Sequence, residues 1–367
     1  MLFEKTVAVV IPAYNEEKQI GMVMDTIPDF VDRIVIVNDC SKDNTSSVVI
    51  KYIEKDQTDW SHSKIGKKKI ENNMYNHADL VVQEIFEKEK SKLTPSKLIN
   101  EDENKNRFIL IEHLKNGGVG AAVATGYCWC REHQIDVIAK VDGDGQMDPG
   151  ELYDICLPVA TEGIDYVKGN RLIHKSSKMV IPGIRYFGNS VLSIMTKIAS
   201  GYWSVSDTQT AFTAISKKGL MAISLDKLYK KYGYPNDILV KLNIASCSLK
   251  EIEIKPIYDI GEKSKMRILK LIPRLSFLLF KSFFKRLFVK YFFRDFHPLF
   301  FFYMLSLLLF IVDIPFFYQL VKNFFIVGSN IPDSWLIIFI FLTISSLQSL
   351  FFAMWMDIQD NQKLYKS

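Results

Sequence analysis

A chain of 367 residues, 48% hydrophobic and 24% charged, is long enough for one large domain or two smaller ones, and a formal charge of +5 is too small to argue for a nucleic-acid partner. The five cysteines (Cys40, Cys128, Cys130, Cys156, Cys247) form no CxxC pair and have no companion His spacing, so neither zinc nor a redox dithiol is indicated and reduced cytosolic thiols are expected. The N-terminus runs straight into an apolar strand without a basic region followed by a long apolar one, so no cleaved signal peptide is expected.

In chain order, a β-branched run over 6–11 ends at Pro12 and is followed by Tyr14, Asn15 and Glu16 and then by a helical pattern at Ile20, Val23, Met24 and Ile27. Residues 34–37 read as a second strand ending in Asn38-Asp39, with Ser41 placed to cap a helix that runs to about Glu54. Two strand-to-helix units in succession predict a parallel α/β sheet, whose ligands bind beyond the carboxyl ends of the strands. From 55 to 106 charges of both signs, Asn and Ser predominate. This reads as an inserted surface excursion with a short helical patch near 80–86, and Lys67-Lys68-Lys69 as solvated. A third strand over 107–112 leads into His113-Leu-Lys-Asn-Gly-Gly-Val-Gly120, a glycine-rich loop that opens an alanine-rich helix; its backbone N–H groups, at Gly117 and Gly120, are expected to face an anion.

A fourth strand, interrupted only by Lys140, stops at Asp142-Gly-Asp-Gly-Gln146. Side chains at i and i+2 of an extended segment point the same way, so Asp142, Asp144 and Gln146 face one bound object, and Gly143 lets the backbone approach it closely. Such oxygen ligands suit a hard divalent ion, Mg2+ or Mn2+, that shares its shell with water and substrate phosphates. Further on come Gly169-Asn170-Arg171, a loop reaching Arg185, the Val205–Phe212 stretch containing Asp207, and a late strand over 252–257 followed by Lys263 and Lys265.

The C-terminal third changes character. Eight Lys/Arg and no acid lie between Arg267 and Arg294. Positions 267, 270, 274, 281 and 285 share one helical stripe, which predicts an interfacial amphipathic segment drawn to anionic membrane lipid and broken or kinked at Pro273. Residues 298–321 and 335–356 are each apolar and long enough to cross a bilayer core of about 30 Å. Asp313 lies in the first, where an ionisable group usually faces another helix or a functional site. The basic excess before the first span places the domain preceding it in the cytoplasm.

Together these residues resemble the family-2 glycosyltransferases. The matched pieces are VVIPAYNEE (9–17), IVIVNDCSKDNT (34–45), NGGVGAA (116–122), VDGDGQMDP (141–149), GNR (169–171) and SDTQTAF (206–212). Within that family the chain looks most like the dolichyl-phosphate mannose synthase and bacterial polyprenyl-phosphate glycosyltransferase group. The resemblance implies an α/β, Rossmann-like glycosyltransferase A domain with a mixed, mainly parallel sheet over 1–265, then amphipathic juxtamembrane helices over 266–296 and two transmembrane helices with a short tail over 297–367. It implies that Pro12, Tyr14, Glu16 and Asp39 hold the base and ribose of a UDP- or GDP-sugar, that Asp142 lies close to the ribose or metal, and that Asp144 and Gln146 ligate the ion. Two features depart from the family: Asn38-Asp39 stands where an acidic pair is usual, and the 55–106 insertion is long. No QxxRW motif occurs, which disfavours a processive synthase.

A polyprenyl phosphate acceptor needs positioning more than a base, and Arg171, Arg185 and Asn189 are the expected grips on it, with Lys263 or Lys265 on the leaving diphosphate. A sugar hydroxyl as acceptor does need a base, and Asp207 is the carboxylate placed for that alternative. A non-catalytic membrane scaffold with a degenerate transferase domain is the rival of another class. The base, the sugar, the lipid length and the oligomeric state, a homo-oligomer included, stay open at this level.

Overall fold

The computed structural model describes residues 1–56, 60, 65–67, 73–103, 105–181, 183–257, 268–325 and 332–366, with the backbone alone for Lys178, 184–187 and 268–271. The strands are β1 (Val7–Ala13), β2 (Arg33–Asn38), β3 (Ser96–Leu98), β4 (Phe108–His113), β5 (Val137–Lys140), β6 (Tyr166–Asn170), β7 (Thr213–Ser216), β8 (Leu249–Glu253) and β9 (Tyr365–Lys366). They form one sheet in the order β3-β4-β2-β1-β5-β7-β6-β8-β9, in which β3 and β7 run against the rest. The helices are α1 (Ile20–Asp25), α2 (Thr45–Lys55), α3 (His77–Ser91), α4 (Val119–Glu132), α5 (Leu152–Thr161), α6 (Ser177–Val180), α7 (Gly183–Ser200), α8 (Lys217–Met221), α9 (Tyr234–Ile244), α10 (Ile268–Arg286), α11 (Pro298–Phe324) and α12 (Asp333–Gln362).

The central strands read as unbroken apolar runs because both faces of the sheet are covered. Ala8 and Val10 of β1, with Val35 and Val37 of β2, join the core on the α4 face; Val7, Val9 and Ile11, with Ile34 and Ile36, join the core on the opposite face with α1 and α5. Pro12 is tolerated in a central strand for a reason visible in the ladder. Val10 accepts from Val141 N–H on the β5 side and Ala13 accepts from Asp39 N–H on the β2 side. By alternation the N–H that proline lacks is turned to the side where β5 has ended. On α4, a Cβ at Gly126 would lie 2.4 Å from Val10 Cγ1, so glycine lets this helix lie close on β1.

Several sequence expectations shift. The 55–106 excursion contains α3 and the edge strand β3, and Glu89 of α3 pairs with Arg131 of α4 at 2.9 Å, so part of it packs as domain structure. The middle of the Lys67–Lys69 triplet onward lies outside the described residues. The second helix begins at Thr45, not after Ser41; Ser41 instead accepts from Asn15 N–H at 2.9 Å and bonds Asn38 Oδ1, lacing the β1 and β2 loops together. The late strand is 249–253 rather than 252–257, since its pairing with β6 begins at Leu249↔Tyr166 and Pro256 has no N–H to extend a ladder. Pro273 does not end α10; lying six residues in, it removes one helix bond near the start.

α11 and α12 are long and apolar enough to cross a membrane and pack on each other as an antiparallel pair. Thr343 donates to Asp313 Oδ2 at 2.7 Å and Ser346 to the Ser306 carbonyl at 3.0 Å, so Asp313 faces the neighbouring helix as expected of a mid-span carboxylate. The short tail is a finding of another kind: β9 returns from α12 to pair with β8 in the domain sheet.

Candidate active site

The carboxyl ends of the parallel strands β1, β2, β4 and β5 open on one edge of the sheet, and the loops leaving them carry Tyr14 and Glu16, Asp39, the glycine loop and the Asp142–Gln146 turn. The turn is shaped by Gly145, whose φ of +78° favours glycine, and by Gln146 N–H donating to Asp144 Oδ1 at 3.0 Å. Burial pushes the Asp144 carboxyl up to about 6, the adjacent Asp142 charge adds to this, and Glu16 pushes the same way. The Tyr232 hydroxyl feels the same charges: burial raises it, and Asp142, Glu16 and Asp144 raise it further. Sequence reading missed Tyr232, which has no motif of its own and reaches the site from a loop ahead of α9.

Lys140, an interruption of the strand in sequence, is the motif's counter-charge. Its side chain is 1% exposed and its ammonium pairs with Asp142 Oδ1. A lysine in a buried strand, two residues before an acid on the same phase, is a signal that could have found it.

Asp39 serves the protein first. Its Oδ1 accepts from Gly117 N–H at 2.7 Å and contacts His113 Nδ1 at 2.7 Å; its Oδ2 accepts from Gly118 N–H at 2.8 Å. Gly120 N–H donates to the Lys230 carbonyl at 3.0 Å. The anion that the Gly117 amide faces is thus the protein's own Asp39 carboxylate, whereas the Gly120 amide meets a carbonyl rather than the expected anion. The glycines are needed for space. A Cβ at Gly118, at φ +91°, would lie 2.4 Å from the Lys230 carbonyl oxygen, and one at Gly120 would lie 2.0 Å from that of Tyr229. Asn38, which replaces the usual first acid, spends its side chain on Ser41 and Ser46.

On the other side of β5, Arg171 and Asp207, expected in separate roles, form one pair. Arg171 Nε and Nη2 donate to Asp207 Oδ2 and Oδ1 at 2.8 and 3.1 Å, and the Arg171 N–H adds a third bond at 3.2 Å. Burial alone would raise the Asp207 carboxyl, yet Arg171 and then Lys168 outweigh it and hold the carboxyl below its ordinary value. An ion-paired carboxylate only 1% exposed and held low is a poor base, which corrects its assignment as proton acceptor for a hydroxyl. Tyr14 and Asn189 are half-buried, Asn189 on the first half of α7. The Arg185 side chain, Lys263 and Lys265 lie outside the described residues.

Residues 8–72 match the family described as Glycosyl transferase family 2. The chain is 29% identical over 256 residues to the UDP-N-acetylglucosamine–dolichyl-phosphate N-acetylglucosaminyltransferase of Methanococcus voltae, covering 70% of this chain and 87% of that one. It is 27% identical over 130 residues to the undecaprenyl-phosphate mannosyltransferase of Micrococcus luteus, covering 35% and 52%. Among solved structures, glucosyl-3-phosphoglycerate synthase from Mycobacterium tuberculosis is similar at 16% identity and a TM-score of 0.46, covering 77% of this chain and 80% of that one. The mixed, mainly parallel sheet, the acidic turn at the end of β5, the glycosyl transferase family 2 match over residues 8–72 and the likeness to the Methanococcus enzyme over 70% of the chain lead to one conclusion: the chain is a glycosyltransferase.

Proposed function

We propose that this protein is a membrane-anchored inverting glycosyltransferase that moves a sugar from a nucleotide-diphosphate sugar to a polyprenyl phosphate with the help of a divalent ion. The observation that carries the reading is the acidic turn at the end of β5, which sets Asp142, Asp144 and Gln146 within five residues around Gly145; burial and the Asp142 charge lift Asp144 to about 6. Asp144 and the Gln146 side-chain oxygen, with Asp142 beside them, make a hard oxygen set that fits Mg2+ or Mn2+. Mg2+ usually keeps several waters and shares its shell with substrate phosphates, so a set of this size suits it. Bound there, the ion supplies counter-charge to the leaving diphosphate.

The chain's own residues do the rest. Lys140 offsets the charge of Asp142 and fixes its Oδ1, leaving the second oxygen for the ribose or the ion. Tyr14, Glu16 and Asp39 line the base and ribose side. A polyprenyl monophosphate, with a second pKa of about 6, is already nucleophilic at neutral pH and needs orientation only. Arg171, held rigid by Asp207, and Arg185 and Asn189 on α7 are the groups that orient it. A single in-line displacement then inverts the anomeric centre. The names of the Methanococcus and Micrococcus relatives, both polyprenyl-phosphate enzymes, support this acceptor over a hydroxyl.

The anchor supports one membrane topology. Since β9 leaves α12 and enters the domain sheet, both ends of the α11–α12 pair lie on the domain's side. Arg274, Lys281, Lys285 and Arg294 are exposed there beside Phe277 and Phe280, and this excess of positive charge supports a cytoplasmic domain. The test is transfer of radiolabel by detergent-purified protein from UDP- and GDP-sugars, UDP-N-acetylglucosamine first, to undecaprenyl or dolichyl phosphate. EDTA-sensitive label in the lipid fraction supports the reading. Donor hydrolysis without lipid label defeats it.

A further inference from the structure

We propose that the segment following the second apolar helix is part of the catalytic apparatus, and that Glu251 on β8, braced by Tyr365 on β9, is the positioning residue that holds the Asp207–Arg171 pair in place. The inference rests on Arg171 being an acceptor-side residue, as proposed above.

The tail is built in rather than loose. Leu249 N–H donates to the Leu364 carbonyl at 2.7 Å, and β9 pairs with β8 through Leu249↔Tyr365 and Lys250↔Lys366. Leu364 is buried in the domain core and Tyr365 packs against it. The last turns of α12 are fastened as firmly. Arg286, at the end of α10, forks onto Asp357 with two bonds of 2.7 Å, and both side chains are fully buried. The same guanidinium donates to the carbonyls of Ile198 and Ala199 at the end of α7. Lys290 bridges Asn361 of α12 and Asn243 of α9 at 2.7 and 3.1 Å. Of the eight cations between Arg267 and Arg294, Arg286 and Lys290, which lie off the predicted lipid-facing stripe, turn inward and lock the anchor to the domain. Such a lock sets the height and register at which β9 meets the sheet.

From β9 a short chain of contacts reaches the site. Residues 249, 251 and 365 share one face of the sheet by register, which puts the Tyr365 ring diagonally beside Glu251. The negative charge of the Glu251 carboxylate acts on the Tyr365 hydroxyl and, after burial, is what raises it. Glu251 in turn accepts the Ser206 N–H at 3.1 and 3.0 Å on its two oxygens and the Asp207 N–H at 3.1 Å. It therefore fixes the backbone from which the Asp207 carboxylate meets Arg171. Among the described residues the hydrogen bonds of Glu251 run to Ser206 and Asp207, away from the β1, β2 and β5 loops, so its effect is selective.

The experiment uses the full chain in detergent micelles with three readouts: the KM for undecaprenyl phosphate, the KM for the donor, and amide hydrogen exchange over 206–210. In Glu251→Gln the charge-assisted acceptor becomes a neutral one, and the acceptor KM rises about fivefold while the donor KM stays within about twofold. Tyr365→Phe keeps the ring and loses the hydroxyl, and moves the acceptor KM the same way by about twofold. Exchange over 206–210 quickens in both variants. Equal changes in the two KM values, or unchanged exchange in Glu251→Gln, overturn the inference. Wild-type protein that labels no polyprenyl phosphate overturns the proposed function instead; quickened exchange in the variants would then still uphold the bracing by Glu251.

Discussion

Asp142 and Asp144 bear like charges within one turn of chain, and what keeps the turn folded is the division of labour between them. Lys140 neutralises Asp142, whereas Asp144 carries the full cost of burial beside that charge. Asp144→Asn should therefore lower kcat/KM by roughly a hundredfold or more without lowering the melting temperature, since it removes a desolvated charge and keeps the shape. A loss of activity that tracks a loss of folding would contradict this. Lys168 gives the site a pH signature of its own. Burial holds its ammonium down at about 8, with Asp207 and Glu251 pulling the other way, against an ordinary value of 10.5. Between these values the unfolded chain keeps a proton that the native one has released, so stability rises with pH there, and the contribution is lost as pH falls through about 8. The unfolding free energy of wild type relative to Lys168→Met should climb by roughly 3 kcal/mol between pH 8 and 10.5; a flat difference would refute it. At this scale the sequence made the acids legible, because Asp-Gly-Asp-Gly-Gln at the end of an apolar run leaves little choice of orientation. It concealed their partners. Nothing local to Asp207 says that its carboxylate meets Arg171, 36 residues away.

At the scale of elements, the parallel half of the sheet was readable from strand-then-helix alternation, and the antiparallel strand β7 was not. Thr213–Ser216 is four residues long and becomes a strand because β5 and β6 flank it on both sides. The glycine loop was read as an anion cradle because its composition is that of one. Its amides turn inward because Asp39 and the Lys230 carbonyl reach them first. Gly118→Ala tests this account: the Cβ meets a backbone oxygen at 2.4 Å from a left-handed residue, and the variant should unfold with about 2–3 kcal/mol less stability, by urea denaturation. An unchanged midpoint would show that the loop is free to move.

At the scale of the whole molecule, hydropathy announced the two apolar helices but not how they join the domain. The buried Arg286–Asp357 pair makes the join, and removing one partner strands a charge in a dry interior. Arg286→Met alone should cost about 3–5 kcal/mol, whereas Arg286→Met with Asp357→Leu should recover most of it, read as melting temperatures in detergent. Simple additivity of the two changes would deny the lock. The same join holds the site at a fixed height relative to the apolar helices, which suits an acceptor whose phosphate is presented at a lipid surface. The most direct test of that claim is a competition in one vessel between equimolar undecaprenyl phosphate and undecaprenol for a labelled nucleotide sugar. The account predicts acid-labile label on the phosphate alone; label on the free alcohol would contradict it.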